Sequence, residues 1–144
     1  MKKIFRTILI VVLAAALLLG YSLLETRWIE VCPYEIVSPD VPRQFHGFRM
    51  VFVSDIHHGP FFSLDRVADL ARRVNALEPD IVLLGGDFVH RGKNYIVPCF
   101  KALARIRAKH GVYAVLGNHD HWESTRLSRK AMKHAGIVSL DNRG

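Results

Sequence analysis

Apolar and polar positions fall into distinct regimes along the chain. The first is Ile8 to Leu24, ILIVVLAAALLLGYSLL, 17 residues without a charge. A run with no polar face makes a poor core helix, and its length sits at the short end for a helix that spans a bilayer. Lys2, Lys3 and Arg6 precede it, and Glu25 and Arg27 follow. A cleaved signal peptide is the alternative. Leu18, Leu19 and Gly20 match the small residues of a cleavage site weakly, and no Cys follows closely. The expectation is an uncleaved signal anchor over residues 1–26. The basic flank stays in the cytoplasm and the remaining chain crosses to the other side.

Beyond the anchor the pattern changes period. RWIEVCPYEIV, Arg27 to Val37, reads as an extended segment interrupted by Pro33, which suits an edge strand. SPDVPRQFHG is a turn-rich connector. FRMVFVSD, Phe48 to Asp55, predicts a buried strand ending in an acid. Ser63 to Leu77 carries apolar residues at Leu64, Val67, Leu70, Ala71 and Val74, the spacing of an amphipathic helix, and Pro79 ends it. Asp80 to Asp87 is a second strand. Tyr95 to Gly111 is a second helix with Pro98 in its first turn and Gly111 as its cap. VYAVLGNHD is a third strand, Ser124 to Gly136 a third helix, and IVSL the start of a fourth strand.

Alternating strands and helices predict an α/β domain over residues 27–144. Asp55 to Asp87 spans 32 residues and Asp87 to Asn118 spans 31, intervals that fit successive βαβ units. Such crossovers imply a parallel sheet with helices on at least one face. Sites in these sheets form beyond the carboxyl ends of the strands, and polar residues gather there three times. SDIHHG places Asp55 and His57 two apart, on the same side if the extended path continues. GGDFV places Asp87 past two glycines that allow close backbone approach. GNHD offers an amide oxygen at Asn118 and an imidazole at His119. Carboxylate, imidazole and amide together suit a divalent metal ion. Each motif alone reads as a turn or cap; their recurrence at successive strand ends points to metal binding.

Charge and cysteines change the picture little. The net charge is +7, but three of the positive residues flank the anchor, leaving 17 basic against 13 acidic residues. That mild excess suits anionic lipid or a phosphate-bearing substrate. No basic and aromatic interleaving points to nucleic acid. Cys32 and Cys99 are expected to be buried free thiols. An NAD-type nucleotide fold is excluded by the lack of GxGxxG after the first strand.

Taken together, SDIHHG, GGDFV and GNHD resemble the first three motifs of the calcineurin-like metallophosphoesterase superfamily. The apolar N-terminus and the approach FHGFRMVFVSDIHHGP resemble a bacterial, membrane-anchored branch of it. The resemblance implies a layered α/β sandwich, of which this chain holds the first βαβαβαβ portion. It implies two divalent ions, Mn, Fe or Zn. Asp55 and His57 would ligate the first ion, Asp87 would bridge both, and Asn118 would ligate the second. His119 would contact phosphate and protonate the leaving oxygen, and Asp120 would orient His119. The implied reaction is phosphoester hydrolysis, with phosphodiester favoured, by a metal-activated hydroxide attacking phosphorus in line.

The chain departs from the family pattern in lacking the later histidines and the GHxH motif. The second ion would then have only Asp87 and Asn118, a weak cage. DNRG at the end resembles an internal turn, so the chain is expected to be a fragment whose partner is the missing C-terminal half, with an apolar face left open. The implied setting is the bacterial inner membrane, with a single pass, the domain on the extracytoplasmic side, and a phospholipid or lipid-linked phosphate as substrate. The alternative is an inactive, membrane-tethered metal-binding or interaction domain. His90 reads as a loop residue, with a place in the pocket wall as the alternative. His121 and Trp122 read as packing or surface residues, and Arg91 and Lys93 as solvated charges.

Overall fold

The computed structural model describes residues 2–25 and 28–140. The chain divides into two compact units, residues 1–38 and 39–144. The first holds helix α1, Lys2–Glu25. None of its residues is buried, and it is long and apolar enough to cross a membrane by length and composition. The expected edge strand at Arg27 to Val37 does not form. Residues 28–38 carry no helix or strand, Arg27 lies outside the described residues, and Cys32 is exposed rather than buried. Pro33 removes a backbone donor that a strand ladder would use.

The second unit has the expected α/β class. Its elements run β1 (Met50–Val53), α2 (Leu64–Ala76), β2 (Ile81–Leu84), α3 (Ile96–Leu103), β3 (Val112–Ala114), α4 (Asn118–His134) and β4 (Val138–Ser139). The four strands form one parallel sheet in the order β1-β2-β3-β4. Register places Val51, Val82 and Val112 in one row and Val53, Leu84 and Ala114 in the next, on the same face. The β2 and β3 members of both rows are buried. Val67, Leu70, Ala71 and Val74 of α2 are buried with Ile96, Cys99, Phe100 and Leu103 of α3 and Met132 of α4. Each large apolar side chain fully buried in this way contributes about 1.5–3 kcal/mol. On the opposite face the row Phe52, Leu83, Tyr113, Val138 is half-buried to exposed, with Phe52 at 66%.

Several elements are shorter than the sequence pattern predicts. The second helix ends at Leu103 rather than Gly111, because the segment 104–111 turns back toward β3. Gly111, at φ +96°, serves that turn. The third strand stops at Ala114, and Asn118 already opens a helix. That helix is broken at Ser124, whose backbone is extended (φ −177°, ψ 97°). Ser124 Oγ accepts the Leu127 amide at 3.3 Å, so the predicted start at Ser124 is a genuine second beginning within α4. DNRG lies outside the described residues.

One buried carboxylate ties the amino ends of the strands. Asp80 accepts the Arg49 amide and the Lys109 ammonium, each at 2.7 Å, and its carbonyl accepts the His110 amide at 2.7 Å. Lys109, and then the Arg49 amide, hold the Asp80 carboxyl below its ordinary value of 3.8 against the opposing effect of burial. A carboxyl depressed on folding contributes stability above its unfolded pKa and loses it as pH falls through the folded one. Asp80→Asn is therefore expected to lower the Tm by a few degrees at pH 7. The gap to the parent closes as the pH drops below the ordinary carboxylate value. Melting curves at stepped pH check this, and a pH-independent gap contradicts it.

Candidate metal centre

The loops leaving β1 and β2 run beside each other past the ends of their strands. The amides of Asp55, His57 and His58 donate to the carbonyls of Gly86, Asp87 and Phe88 at 3.1, 2.9 and 2.9 Å, and the His90 amide returns to His58 at 3.0 Å. Parallel pairing thus continues beyond the sheet, but not along the extended path expected for Asp55 and His57. Asp55 (φ 56°), His57 (φ 48°) and Asp87 (φ 53°) are all left-handed. Ile56, between the first two, points into the core at 4% exposure. Holding a non-glycine residue in this region costs on the order of 1–3 kcal/mol, although Asp tolerates it better than most residues. The loop pairing and the buried Ile56 side chain hold the backbone there.

This backbone brings three donors together. His57 Nε2 lies 3.5 Å from Asp55 Oδ1 and 3.8 Å from Asp87 Oδ2. Asp55, His57 and Asp87 each offer a ligand atom within 4.8 Å of the others. Asp55 accepts a hydrogen bond from Ser54 Oγ, and Asp87 Oδ1 accepts the His119 amide at 2.9 Å. Among the described residues no Lys or Arg pairs with either carboxylate. Ligands on one ion at about 2.0–2.2 Å stand roughly 3–4 Å apart, which is the spacing of each acid from His57. His57 Nδ1 is buried without a hydrogen-bond partner. Two carboxylates and the Nε2 of one imidazole fit a divalent cation by donor type and spacing.

The third loop closes the site. Asn118 is exposed at the start of α4, between Gly117 and His119. Asp120 was expected to orient the His119 ring, but it makes a different set of bonds. Its carboxylate is fully buried, with Oδ1 accepting the Phe88 amide and Oδ2 the Gly117 amide, each at 3.0 Å. It fastens the loop after β3 to the loop after β2. Burial pushes this carboxyl above its ordinary value, opposed by the amides of Gly117 and Phe88. The His119 ring instead meets His90, Nδ1 to Nδ1, at 3.2 Å. It also packs against the rings of His57 and Trp122, with centroids 4.7 Å away in each case. Desolvation, then the neighbouring His119, lowers the His90 pKa.

His90 and Trp122 are the residues that sequence reasoning underrated. The available signal was position: each lies three residues after a motif residue, His90 after Asp87 and Trp122 after His119. Close packing explains the glycines. A Cβ on Gly117 would run into Asp87 Oδ1, and one on Gly86 (φ +96°) into the backbone of Gly117.

The parallel sheet thus carries an Asp, His, Asp cluster at its carboxyl edge, with an Asn-His pair opening the next helix. Residues 48–141 match the calcineurin-like phosphoesterase family, and the chain belongs to that family. It is 32% identical over 126 residues to an uncharacterized metallophosphoesterase of Aquifex aeolicus, covering 88% of this chain and 48% of that protein. It is 28% identical over 140 residues to a transmembrane protein with metallophosphoesterase domain of Danio rerio (96% and 32% covered). It is 35% identical over 107 residues to the UDP-2,3-diacylglucosamine pyrophosphatase LpxG of Chlamydia trachomatis serovar D (72% and 32% covered). The chain thus spans between a third and a half of the length of these relatives. No solved structure matches the chain.

The loop contacts generate two expectations. Gly117→Ala displaces the Asp87 carboxylate and weakens Mn²⁺ binding, measured by calorimetry, about 10–100-fold, the range for loss of a ligand's support. Asp120→Asn turns an NH₂ group toward a backbone N–H and costs about 1–3 kcal/mol in urea unfolding at pH 7. Parent-like affinity in the first variant, or parent-like stability in the second, contradicts the geometry.

Proposed function

We propose that this chain carries the first part of a metal-dependent phosphoester hydrolase centre, held at a membrane surface by α1. The observation that carries this reading is the convergence of Asp55, His57 and Asp87 within 4.8 Å, with His119 against His57. Asp55, His57 and Asp87 would hold one divalent ion, and Asp87 with Asn118 would contribute to a second and weaker position. Mixed oxygen and nitrogen donors suit Mn, Fe or Zn. A cation bound there supplies Lewis-acid polarisation of the phosphoryl group and a more acidic water.

The chain's own residues supply the rest. Asp87 is oriented by the His119 amide, so the donor carboxylate and the proton-transfer residue are fixed to each other. His119 has Nδ1 facing His90, which leaves Nε2 to give a proton to the leaving oxygen. Asp120 acts one step removed, by holding Gly117 and Phe88 and therefore the loops that bear His119 and Asp87.

A phosphodiester or lipid-linked pyrophosphate is the substrate class we favour. Support comes from the apolar α1 helix and from the name of the LpxG relative, a pyrophosphatase of a diacylated sugar nucleotide. The setting we favour is the bacterial inner membrane, with the domain on the extracytoplasmic side. In the relatives the chain matches, the remaining length accounts for half or more of the protein. The second reading is a tethered domain that binds metal without turnover.

Detergent-purified chain loaded with Mn²⁺ and assayed on bis(p-nitrophenyl) phosphate separates the two. Hydrolysis that falls about 10²–10⁴-fold in His119→Ala, with metal binding retained, is the expected result for loss of a proton-transfer group. In the same assay Asp55→Asn loses both metal and activity. Turnover that His119→Ala leaves unchanged contradicts the assigned role, and metal binding without turnover selects the tethered domain.

A further inference from the structure

Beside the carboxylate donors lies a second cluster of different chemistry. His57, His90 and His119 each offer a ring nitrogen within 4.8 Å of the others. Their rings are mutually inclined. His57 meets His90 at 89° and His119 at 86°, with centroids 5.5 and 4.7 Å apart, and His90 meets His119 at 53° and 4.9 Å. None of the three stacks in parallel on another, an arrangement that would hold the nitrogens apart. All three residues are partly exposed, although His57 Nδ1 itself is buried.

We propose that His57, His90 and His119 form an imidazole-rich metal seat that takes a borderline transition-metal ion of the Zn²⁺ or Cu²⁺ class. The seat shares His57 with the carboxylate-rich position of Asp55 and Asp87. Two nitrogens bound to one tetrahedral ion at about 2.0–2.1 Å stand roughly 3.3 Å apart. The Nδ1 atoms of His90 and His119 are already 3.2 Å apart. The unpartnered, buried Nδ1 of His57 is a polar atom the protein alone leaves unsatisfied. Three neutral nitrogen donors favour Cu²⁺ and Zn²⁺ over Mg²⁺ or Ca²⁺, which prefer oxygen. The two seats thus sort ions by hardness: Asp55 and Asp87 suit the harder ion, and the imidazoles the softer. An ion in the imidazole seat also occupies His119, so the same chemistry makes excess Cu²⁺ or Zn²⁺ an antagonist of proton transfer there. The seat itself rests on geometry and does not require the hydrolase reading.

Cu²⁺ titration of the full chain in detergent, followed by pulsed electron paramagnetic resonance to count bound imidazoles, tests this directly. The parent is expected to show Cu²⁺ bound by more than one imidazole. His90→Gln and His90→Asn should each bind Cu²⁺ at least about tenfold more weakly with one imidazole fewer, in keeping with removal of a donor. His121→Gln, an exposed histidine on α4 bonded to Thr125, should match the parent. Thermal melts show whether the variants remain folded, and the two His90 substitutions guard against an artefact of either one. Parent-like affinity and imidazole count in folded His90 variants would overturn the seat and leave His90 only a hydrogen-bond partner of His119. A single imidazole, or none, in the parent would overturn it as well. Neither result touches the carboxylate position, which is read separately from Mn²⁺ binding to Asp55→Asn.

Discussion

Two carboxylates face one imidazole at the carboxyl end of the sheet, with no Lys or Arg among the described residues paired to either acid. Asp55 Oδ1 and Asp87 Oδ2 both approach His57 Nε2, at 3.5 and 3.8 Å. The two acids offer ligand atoms within 4.8 Å of each other, with Asp87 buried at 8% exposure and the Asp55 side chain open to solvent, so their repulsion is only partly screened. The arrangement calls for a counter-charge, and a divalent cation supplies it while satisfying the donors in number and type. The loops around the sheet end hold these groups in place.

That structure works through backbone. Three left-handed residues, Asp55, His57 and Asp87, aim the donors, and the buried side chains of Ile56 and Phe88 between and beside them anchor the loops in the core. The two loops pair with each other through main-chain hydrogen bonds, so neither can relax without disturbing its neighbour. Asp120 adds the third loop by accepting one amide from Phe88 and one from Gly117. Gly86 and Gly117 permit the approach that these bonds require. Burial raises the Asp120 pKa, while its two oxygens match two backbone donors in different loops.

The sequence made the fold class readable because hydrophobic periodicity and the nearly equal spacing of strand ends survive without tertiary information. Val67, Leu70, Ala71 and Val74 showed the buried face of α2 by spacing alone. The clustering of Asp55, His57 and Asp87 was legible because acids and histidines recur at the ends of successive strands. What did not show was set by three-dimensional context. Nothing local distinguishes Asp120 as a backbone clamp from Asp120 as a partner of His119, since both roles need only a carboxylate nearby. His90 sits in a loop whose path is fixed by pairing with His58, a contact across 32 residues. The edge strand expected near Cys32 failed for a related reason: a strand is defined by a ladder, and residues 28–38 form no strand among the described residues.

The central claim is that Asp55, His57 and Asp87 grip one divalent ion. Anomalous diffraction from crystals of the chain grown with Mn²⁺ tests it most directly. The account predicts a peak bonded to Asp55, His57 and Asp87 together, at about 2.0–2.3 Å from each donor atom. Mn²⁺ bound elsewhere with these three side chains uncoordinated, or no anomalous peak at the strand ends at saturating Mn²⁺, would contradict it.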